Sequence, residues 1–401
     1  MKVLLINNIF YRKGGSEAVF FNTAELLKKH GHEVVFFSFK REENIPSEQS
    51  VYFPNIGGKL KQMRNYFWNA DAAQQLEKLI LAEKPDIAHV HLFWGLMSPS
   101  IFGVLKKHKI PLVHTVHDYR MVCPAYTFKN GKGTICEKCG GGSFKNCLIG
   151  KCSKGSLVQS ALMTAEMIYR NKKYHPVDNI SGFIFVSNFA KEKHLQHDDK
   201  FKTANNIVLY NYTTPIIEPT TEKKDYLLYY GRLSYEKGIH TLIDAMRQLP
   251  NVKLKVVGTG PIDGELQKIK AEKHIENVEF LGYKSGKELF ELVRNAKYVC
   301  VPSEWYENNP MTIIESYSLG TPVIGANIGG IPEIINEGKT GVLFESGNTN
   351  SLVEQIEKVA AISSKEYEAM SNFAFKFYEK NFSEEHHYQE LIGFYSSVLN
   401  K

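Results

Sequence analysis

Short apolar runs alternate along this chain with longer segments in which apolar residues recur at helical spacing. The runs in the first half lie at residues 2–8, 33–39, 87–93, 111–118, 182–188 and 206–211. Those in the second half lie at residues 226–232, 252–258, 278–282, 298–303, 322–327 and 341–344. Near-continuous apolar strands that alternate with helices are typical of parallel sheets covered on both faces. The pattern therefore predicts an α/β fold built from doubly wound, Rossmann-like parallel sheets.

A polar break divides this series into two halves. Residues 213–225 are rich in Thr, Pro and charged residues, as a linker would be. We predict an N-terminal domain at 1–212 with a cysteine-rich insertion at 119–155, a C-terminal domain at 213–383, and a final helix at 384–401 that packs back on the N-terminal domain. Parallel sheets bind ligands beyond the carboxyl ends of their strands, so a deep cleft between two facing domains is the expected site.

The segment 303–325 combines two acidic residues with the start of a helix. Asn309 is a suitable N-cap and Pro310 a suitable first helical residue, so we predict a helix from there to about Gly320. Glu307 then lies in the preceding loop and Glu315 in the second turn. A helix N-terminus attracts phosphate, and carboxylates accept hydrogen bonds from sugar hydroxyls. The spacing leaves two alternatives open: a sugar-nucleotide site, or a solvated loop acid beside a helix-face acid.

Two cations follow the first strand of the second half. Arg232 and Lys237 lie in the loop that enters the next helix, where they could clamp a diphosphate. The alternative is a pair of unrelated surface charges. Neither GTGP at 258–261 nor NNIFYRKGGSE at 7–17 has the glycine spacing of a dinucleotide fingerprint, so an NAD-dependent oxidoreductase is the weaker alternative.

Composition and charge narrow the class of protein. The 401 residues are 43% hydrophobic and 23% charged, with a net charge of +6, which is typical of a folded globular protein. The apolar run near the N-terminus is too short for a signal peptide and no stretch has the length of a membrane span, so we expect a cytoplasmic protein, peripheral at the inner face of the membrane. Basic residues are dispersed and form no nucleic-acid-binding motif.

A basic and aromatic segment at 57–70 suggests how such a protein could meet a membrane. Lys59, Lys61 and Arg64 precede three consecutive aromatic residues at 66–68 on a predicted helix. This mixture suits an anionic lipid surface. A helix with an aromatic core face and solvated basic residues is the alternative.

The cysteines are unevenly distributed. Five of six fall within thirty residues, and Cys136 and Cys139 form a CxxC pair in a glycine-rich turn. In a cytosolic chain such a cluster is more often a metal site than a set of disulfides. Reduced thiols, or a disulfide formed on air oxidation, are the alternatives.

Several of these stretches occur together in one known family. The sequence from 231 to 335 includes GRLSYEKG, VVGTGP, VEFLGY, VPSEWYENNPMTIIESYSLGTPVIG and NIGGIPEII. The N-terminal half adds GGSE, IAHVH, TVHDY and FVSNFAK. Together these motifs resemble the retaining GT-B glycosyltransferases of glycosyltransferase family four, also called glycosyl transferases group one. The resemblance covers nearly the whole chain, and the order and spacing of the C-terminal motifs make it specific.

The resemblance implies a role for each matching residue. Glu315 would accept hydrogen bonds from the nucleotide ribose, and Glu307 from the hydroxyls of the donor sugar. Arg232 and Lys237 would stabilise the diphosphate as it leaves, and His117 would lie at the donor sugar. Further donor contacts are implied for Gly15, Gly258, Tyr283, Asn309, Pro310, Met311 and Thr312. Many relatives have glycine at the position of Pro310, and proline offers no N–H, so the amides of Met311 and Thr312 would serve the donor alone.

The resemblance also implies the reaction. We expect a hexosyl-type sugar to pass, with retention of configuration, from a nucleotide-diphosphate sugar, UDP-sugars favoured, to a glycan or lipid-linked acceptor in surface-polysaccharide synthesis. Protein cations would stabilise the diphosphate, so catalysis would need no metal or other cofactor. A non-catalytic sugar-nucleotide binding protein is the alternative. Similar insertions in related transferases suggest a structural zinc held by four cysteines: Cys123, Cys136, Cys139 and Cys152. Cys147 is left outside this set, although it could replace an outer ligand.

Overall fold

The structure is a computed structural model that describes residues 1–400. Contacts between Cα atoms divide the chain into two units. Unit 1 comprises Met1–Leu209 together with the chain from Tyr388 onward, and unit 2 comprises Tyr210–His387. The boundary predicted from the polar linker, at 212, lies three residues further along the chain than Leu209.

Unit 1 contains a parallel sheet. Its strands are β1 (Lys2–Asn7), β2 (Glu33–Phe37), β3 (Ile87–Leu92), β4 (Leu112–Val116), β5 (Gly182–Phe185) and β6 (Asn206–Val208). They pair in the order β2-β1-β3-β4-β5-β6, each pair parallel. The helices are α1 (Gly15–Lys29), α2 (Lys59–Asn65), α3 (Ala70–Glu83), α4 (Ser100–Lys107), α5 (Lys145–Ile149), α6 (Leu157–Lys173), α7 (Pro176–Asn179) and α8 (Asn188–His197). Short 3₁₀ turns lie at Glu48–Tyr52, Gly140–Gly142 and Asp199–Thr203.

Unit 2 repeats this plan. Its strands are β7 (Lys224–Tyr230), β8 (Leu254–Val257), β9 (Val278–Phe280), β10 (Ala296–Val301), β11 (Val323–Ala326) and β12 (Gly341–Phe344). Its helices are α9 (Ile239–Gln248), α10 (Asp263–Glu272), α11 (Gly286–Asn295), α12 (Met311–Ser318), α13 (Ile331–Ile334), α14 (Thr349–Ala360) and α15 (Ser364–Asn381), with a 3₁₀ turn at Tyr235–Lys237. The last helix of the chain is α16 (Glu384–Leu399). Each predicted strand is present, and the α/β class with two doubly wound parallel sheets is confirmed.

The strand order of unit 2 determines where its loops meet. The sheet runs β12-β11-β10-β7-β8-β9, so the chain moves outward from β7 in one direction and then restarts beside it at β10. Every neighbouring pair is parallel. The loops that follow β7 and β10 therefore leave the same edge of the sheet at its topological switch point, where doubly wound sheets bind ligands.

Alternate residues of β7 pack against helices on opposite faces of this sheet. Leu227 and Tyr229 belong to one buried apolar cluster, which includes residues of α9 and α14. Leu228 and Tyr230 belong to a second cluster on the other face, which includes residues of α12 and α15. Because successive strand residues point to opposite faces, a strand buried on both sides needs the continuous apolar run that predicted it.

The C-terminal helix contributes to the core of unit 1. The Tyr395 hydroxyl lies 2.6 Å from Nδ1 of His89 on β3. A Cβ atom on Gly182 of β5 would lie 2.7 Å from the Phe394 ring, so α16 packs closely against β5 there. Within the described residues, none of the helices combines the length and the apolar character that crossing a membrane requires.

The segment 57–70 differs in part from its prediction. The helix α2 is confined to its first half, and Lys59 and Arg64 are exposed as expected. The aromatic residues, in contrast, contact other parts of unit 1: the Phe67 ring lies 5.8 Å from Tyr169, and the Trp68 ring lies 5.1 Å from Tyr174. For this segment the contacts of Phe67 and Trp68 favour the alternative of aromatic residues packed on unit 1 beside exposed basic residues, and membrane contact stays a prediction.

Candidate functional site

The loop after β7 is held against the loop after β10 by a close backbone contact. Gly238 has a φ of +66°, and a Cβ atom there would lie 1.8 Å from the carbonyl oxygen of Pro302. The Glu304 N–H donates to the carbonyl of Glu236 at 2.9 Å. A side chain at position 238 would be both strained and obstructed, so glycine is required for this approach. The contact places Lys237, the residue before the glycine, beside the loop that carries Glu307.

Lys237 and Glu307 form a partly buried ion pair in unit 2. The Lys237 ammonium donates to Oε1 of Glu307 at 2.5 Å, and the Ser303 hydroxyl donates to the same oxygen at 2.9 Å. Burial alone would raise the pKa of Glu307, but the Lys237 charge and these hydrogen bonds outweigh it and hold the pKa below its ordinary value. The Lys237 ammonium also lies 5.3 Å from the centre of the Trp305 ring. The two predicted site residues are thus brought into direct contact.

A glycine pair completes the enclosure of Glu307. Gly329 has a φ of +63°, and a Cβ atom on it would lie 2.5 Å from the carbonyl oxygen of Glu307. The Gly330 N–H donates to that oxygen at 2.7 Å. The NIGGIP stretch therefore serves as the backbone support of the Glu307 loop, a structural role that the sequence motif alone did not reveal.

The helix α12 begins one residue later than predicted. Pro310 occupies the N-cap position without a side-chain hydrogen bond to the helix, which runs from Met311 to Ser318. Asn309 does not cap because its Oδ1 accepts from the backbone N–H of Asn211 at 2.8 Å. Its Nδ2 is buried and has no hydrogen-bond partner within residues 1–400. The first-turn amides of Met311 and Thr312 lack intrahelical acceptors, as in any helix, so this end of unit 2 presents several N–H donors.

Glu315 lies in the second turn of α12, as predicted, and is partly buried. The Tyr230 hydroxyl lies 3.1 Å from its Oε2 and donates to the Thr312 carbonyl at 2.8 Å. Burial raises the pKa of Glu315 to about 7, and the hydrogen bond from Tyr230 lowers it only in part. Glu307 and Glu315 therefore occupy contrasting environments: one carboxylate has a cation beside it, and the other has a neutral phenol.

The remaining predicted residues of unit 2 lie in loops at the same edge of the sheet. Arg232 is exposed and follows β7, and Tyr283 is 72% exposed after β9. Gly258 has a φ of +132°, and a Cβ atom on it would lie 1.9 Å from the carbonyl oxygen of Gly231. Gly258 therefore allows two loops to pack together, whether or not it also contacts a ligand.

Unit 1 contains the other two predicted donor-site residues. Gly15 is exposed at the first residue of α1, where a Cβ atom would meet nothing within 4 Å. His117 follows β4, and its Nε2 lies 2.9 Å from Nδ1 of His91. Burial lowers the pKa of His117 to about 3, with a smaller contribution from His114, so the imidazole is neutral at physiological pH. His91 was missed as a partner of His117, although it occupies the last position of the IAHVH motif.

The thiols of the cysteine insertion lie near one another, as the contributions of neighbouring cysteines to the raised pKa values of Cys139 and Cys152 indicate. All five cysteines of the insertion are free. Burial, with smaller contributions from the neighbouring thiols of Cys123, Cys147 and Cys136, raises the pKa of Cys139 to about 12. Cys147, left out of the predicted set, lies close enough to Cys152 to contribute, after burial, to the raised pKa of that thiol. Within residues 1–400, however, no group of three or more His, Cys, Asp or Glu side chains is arranged to hold a metal ion. The predicted zinc ligands are therefore not supported by the side-chain positions, and metal content stays a prediction.

Comparison with known proteins identifies the family. The family model described as Glycosyltransferase Family 4 matches residues 13–208, and the one described as Glycosyl transferases group 1 matches residues 214–377. Between them the two models match most of the chain. The protein belongs to this family of glycosyltransferases.

Individual relatives agree with the family and the fold. An uncharacterized 42.6 kDa protein in the cps region of Klebsiella pneumoniae is 26% identical over 356 residues, which cover 83% of this chain and 87% of the relative. Sucrose-phosphate synthase from Thermosynechococcus elongatus has a similar structure, with a TM-score of 0.71 and 18% identity, covering 100% of this chain and 99% of that chain. Anabaena HepE in complex with UDP-glucose has a TM-score of 0.66 and 18% identity, covering 99% of this chain and 100% of that one. At such identities the two structures show the GT-B fold alone.

Proposed function

We propose that this protein is a retaining glycosyltransferase that moves a sugar from a UDP-sugar to a glycan or lipid-linked acceptor, in the synthesis of a surface polysaccharide. The observation that carries the proposal is the arrangement at the switch point of unit 2. There the Lys237–Glu307 ion pair and the N-terminus of α12 lie in loops that leave the same edge of the sheet, with Glu315 one turn into that helix.

The donor contacts follow from the charges of these groups. A diphosphate needs cations and N–H donors, which Lys237, Arg232 and the first-turn amides of α12 would provide. Each ammonium has three N–H bonds, so the hydrogen bond to Glu307 leaves Lys237 able to donate to a phosphate oxygen. The carboxylates of Glu307 and Glu315 would accept from the hydroxyls of the sugar and the ribose.

The same groups support catalysis without a metal ion. Negative charge grows on the diphosphate as the glycosidic bond breaks, and fixed cations stabilise that charge more in the transition state than in the bound donor. The Glu307 carboxylate accepts from Lys237 and Ser303 through Oε1, and its backbone carbonyl accepts from the Gly330 amide. In this proposal the carboxylate binds the donor sugar and is not the nucleophile. In this proposal the departing phosphate takes the proton of the acceptor hydroxyl, and configuration is retained.

The choice of donor and acceptor rests on the relatives. Anabaena HepE was crystallised with UDP-glucose, which supports a uridine donor. The Klebsiella pneumoniae relative lies in a cps region, which supports a polysaccharide product. These supports are independent of the site geometry, so each can be tested separately.

A panel of nucleotide sugars tests the proposal. We expect one UDP-sugar to raise the thermal midpoint of the protein, since a ligand present at one hundred times its Kd stabilises the native state by about 2.7 kcal/mol. The same UDP-sugar should then lose its sugar to an acceptor, with the anomeric configuration of the product read by NMR. Protection without any transfer to a broad set of glycan and lipid-linked acceptors would favour the alternative, a non-catalytic binding protein.

A further inference from the structure

Helix α6 of unit 1 buries several polar side chains and exposes large apolar ones, the reverse of the usual distribution. Its buried positions include Ser160, Thr164, Glu166 and Arg170, each less than 5% exposed. Its exposed positions include Val158 at 78% and Ile168 at 51%. Polar residues usually lie at the surface and large apolar residues in the core, so this helix requires an explanation.

The buried polar face has a structural reason. Glu166 accepts from Arg120 at 3.0 Å and from Arg170 at 3.1 Å, and all three side chains are buried. Arg120 also donates to the Tyr66 hydroxyl at 2.6 Å, which ties α6 to the segment that follows α2. This network orients α6 in one rotation about its axis, and that rotation turns its apolar residues outward.

The exposed apolar residues form a continuous stripe. Val158, Ala161, Ala165 and Ile168 are exposed and are spaced three or four residues apart, so they lie on one side of the helix. Leu157, 54% exposed, extends the stripe at its N-terminal end. On α2, which precedes the aromatic residues that contact α6, Leu60 is 85% exposed and Met63 is 54% exposed, again three residues apart. Two helices of unit 1 thus expose large apolar side chains.

The charges around these residues are basic. Lys151 and Lys154 precede α6, Lys172 and Lys173 end it, and all four are exposed. Between residues 138 and 177 the sequence contains a single acidic residue, the buried Glu166, and between residues 49 and 70 it contains none. The stripe on α6 is therefore bordered by four exposed lysines, whereas on α2 Lys61 forms an ion pair with Asp71 of α3.

We infer that α2 and α6 form a membrane-docking surface that binds an anionic lipid bilayer. Val158, Ile168 and Leu60 enter the interface between headgroups and acyl chains, and the lysines at the ends of α6 contact the anionic headgroups. Apolar insertion flanked by basic residues is how peripheral helices bind anionic membranes. The charge pattern favours lipid over a second copy of this chain, because two copies of the surface would bring like charges together.

Vesicle co-sedimentation tests this inference without any measurement of sugar transfer, so the result is separate from the proposed activity. The wild type should sediment with vesicles of phosphatidylglycerol and phosphatidylcholine, and at least tenfold less with phosphatidylcholine alone. The double variant Val158→Asp/Ile168→Asp should lose more than tenfold in its partition onto the anionic vesicles. Leu81→Asp is the matched control, because Leu81 is a 60% exposed apolar residue on another helix of unit 1, α3.

Three results would overturn the inference. The wild type could fail to bind anionic vesicles, or the double variant could bind them as well as Leu81→Asp does. The wild type could also form dimers in sedimentation velocity without lipid, and the double variant could dissociate them. That third result would assign the surface to a second copy of the chain.

Discussion

Replacing Lys237 with Met removes the cation that stabilises the buried carboxylate of Glu307. Met has a similar length but no charge, so Glu307, only 7% exposed, keeps its burial and loses its partner at 2.5 Å. Removing one member of a fully buried ion pair costs about 3–5 kcal/mol. The Lys237 side chain is 29% exposed, so water screens part of the interaction and we expect a loss of about 2 kcal/mol.

The loss should appear in the thermal transition of unit 2. For a unit of this size, 1 kcal/mol moves the midpoint by about 2–4 °C, so Lys237→Met should melt about 4–8 °C lower at pH 7. The double variant Lys237→Met/Glu307→Gln should recover most of this loss, because an uncharged amide has a smaller burial cost. Differential scanning calorimetry of the four proteins in the cycle measures the coupling directly.

The pH dependence separates this explanation from lost packing. In the wild type the pKa of Glu307 lies below its ordinary value of 4.5, so its contribution to stability is present above that pH and is lost as the pH falls. Without Lys237, burial raises the pKa, and the variant is penalised only while Glu307 is ionised. The difference between wild type and Lys237→Met should therefore shrink below pH 4.5. An equal difference at pH 4 and pH 7, or additive effects in the cycle, would show that Lys237 does not stabilise the ionised Glu307 carboxylate.

Other predictions concern Glu315, Gly238 and the thiols. Burial raises the pKa of Glu315 to about 7, so the wild type loses stability as the pH rises through that value and the carboxyl ionises. The thermal midpoint of Glu315→Gln should therefore increase relative to that of the wild type between pH 5 and pH 8. A constant difference between the two midpoints over this range would contradict the prediction. Gly238→Ala should destabilise unit 2 by about 1–3 kcal/mol in denaturant unfolding and reduce turnover. The control Gly264→Ala, where a Cβ atom on α10 meets open space, should leave stability unchanged or increase it. Equal effects of the two substitutions would show that the contact between Gly238 and Pro302 does not require glycine. If the insertion is metal-free, the Cys139 thiol, whose pKa is raised to about 12, should alkylate slowly in the native protein at pH 7. Finding about one zinc per chain by elemental analysis would instead support the metal prediction.

The sheets could be predicted from the sequence because burial on both faces leaves an unambiguous pattern. A strand such as β7 must be apolar at consecutive positions, and β4 is buried at every residue. Glu315 could also be placed correctly in the second turn of α12, since a helix that follows a proline has a known phase.

Long-range contacts could not be predicted in the same way. The requirement for Gly238 comes from the Pro302 carbonyl, sixty-four positions away. The start of α12 depends on Asn211, whose backbone N–H donates to the Asn309 side chain that would otherwise cap the helix. The exposed stripe on α6 was missed for a similar reason: Arg120 decides which face of the helix is buried, and no local periodicity reports that choice. Such features depend on tertiary partners, which a single sequence does not identify.

The most direct test of the account is the affinity of unit 2 for UDP, measured by titration calorimetry on the full chain. The wild type should bind UDP at neutral pH, and Glu315→Gln should bind at least tenfold more weakly, a loss of about 1.4 kcal/mol, because the ribose loses its carboxylate acceptor. Leu81→Asp, outside the site, should bind as the wild type does. Absence of UDP binding by the wild type, or equal affinity in Glu315→Gln, would contradict the assignment of a nucleotide-sugar site to the N-terminal end of α12.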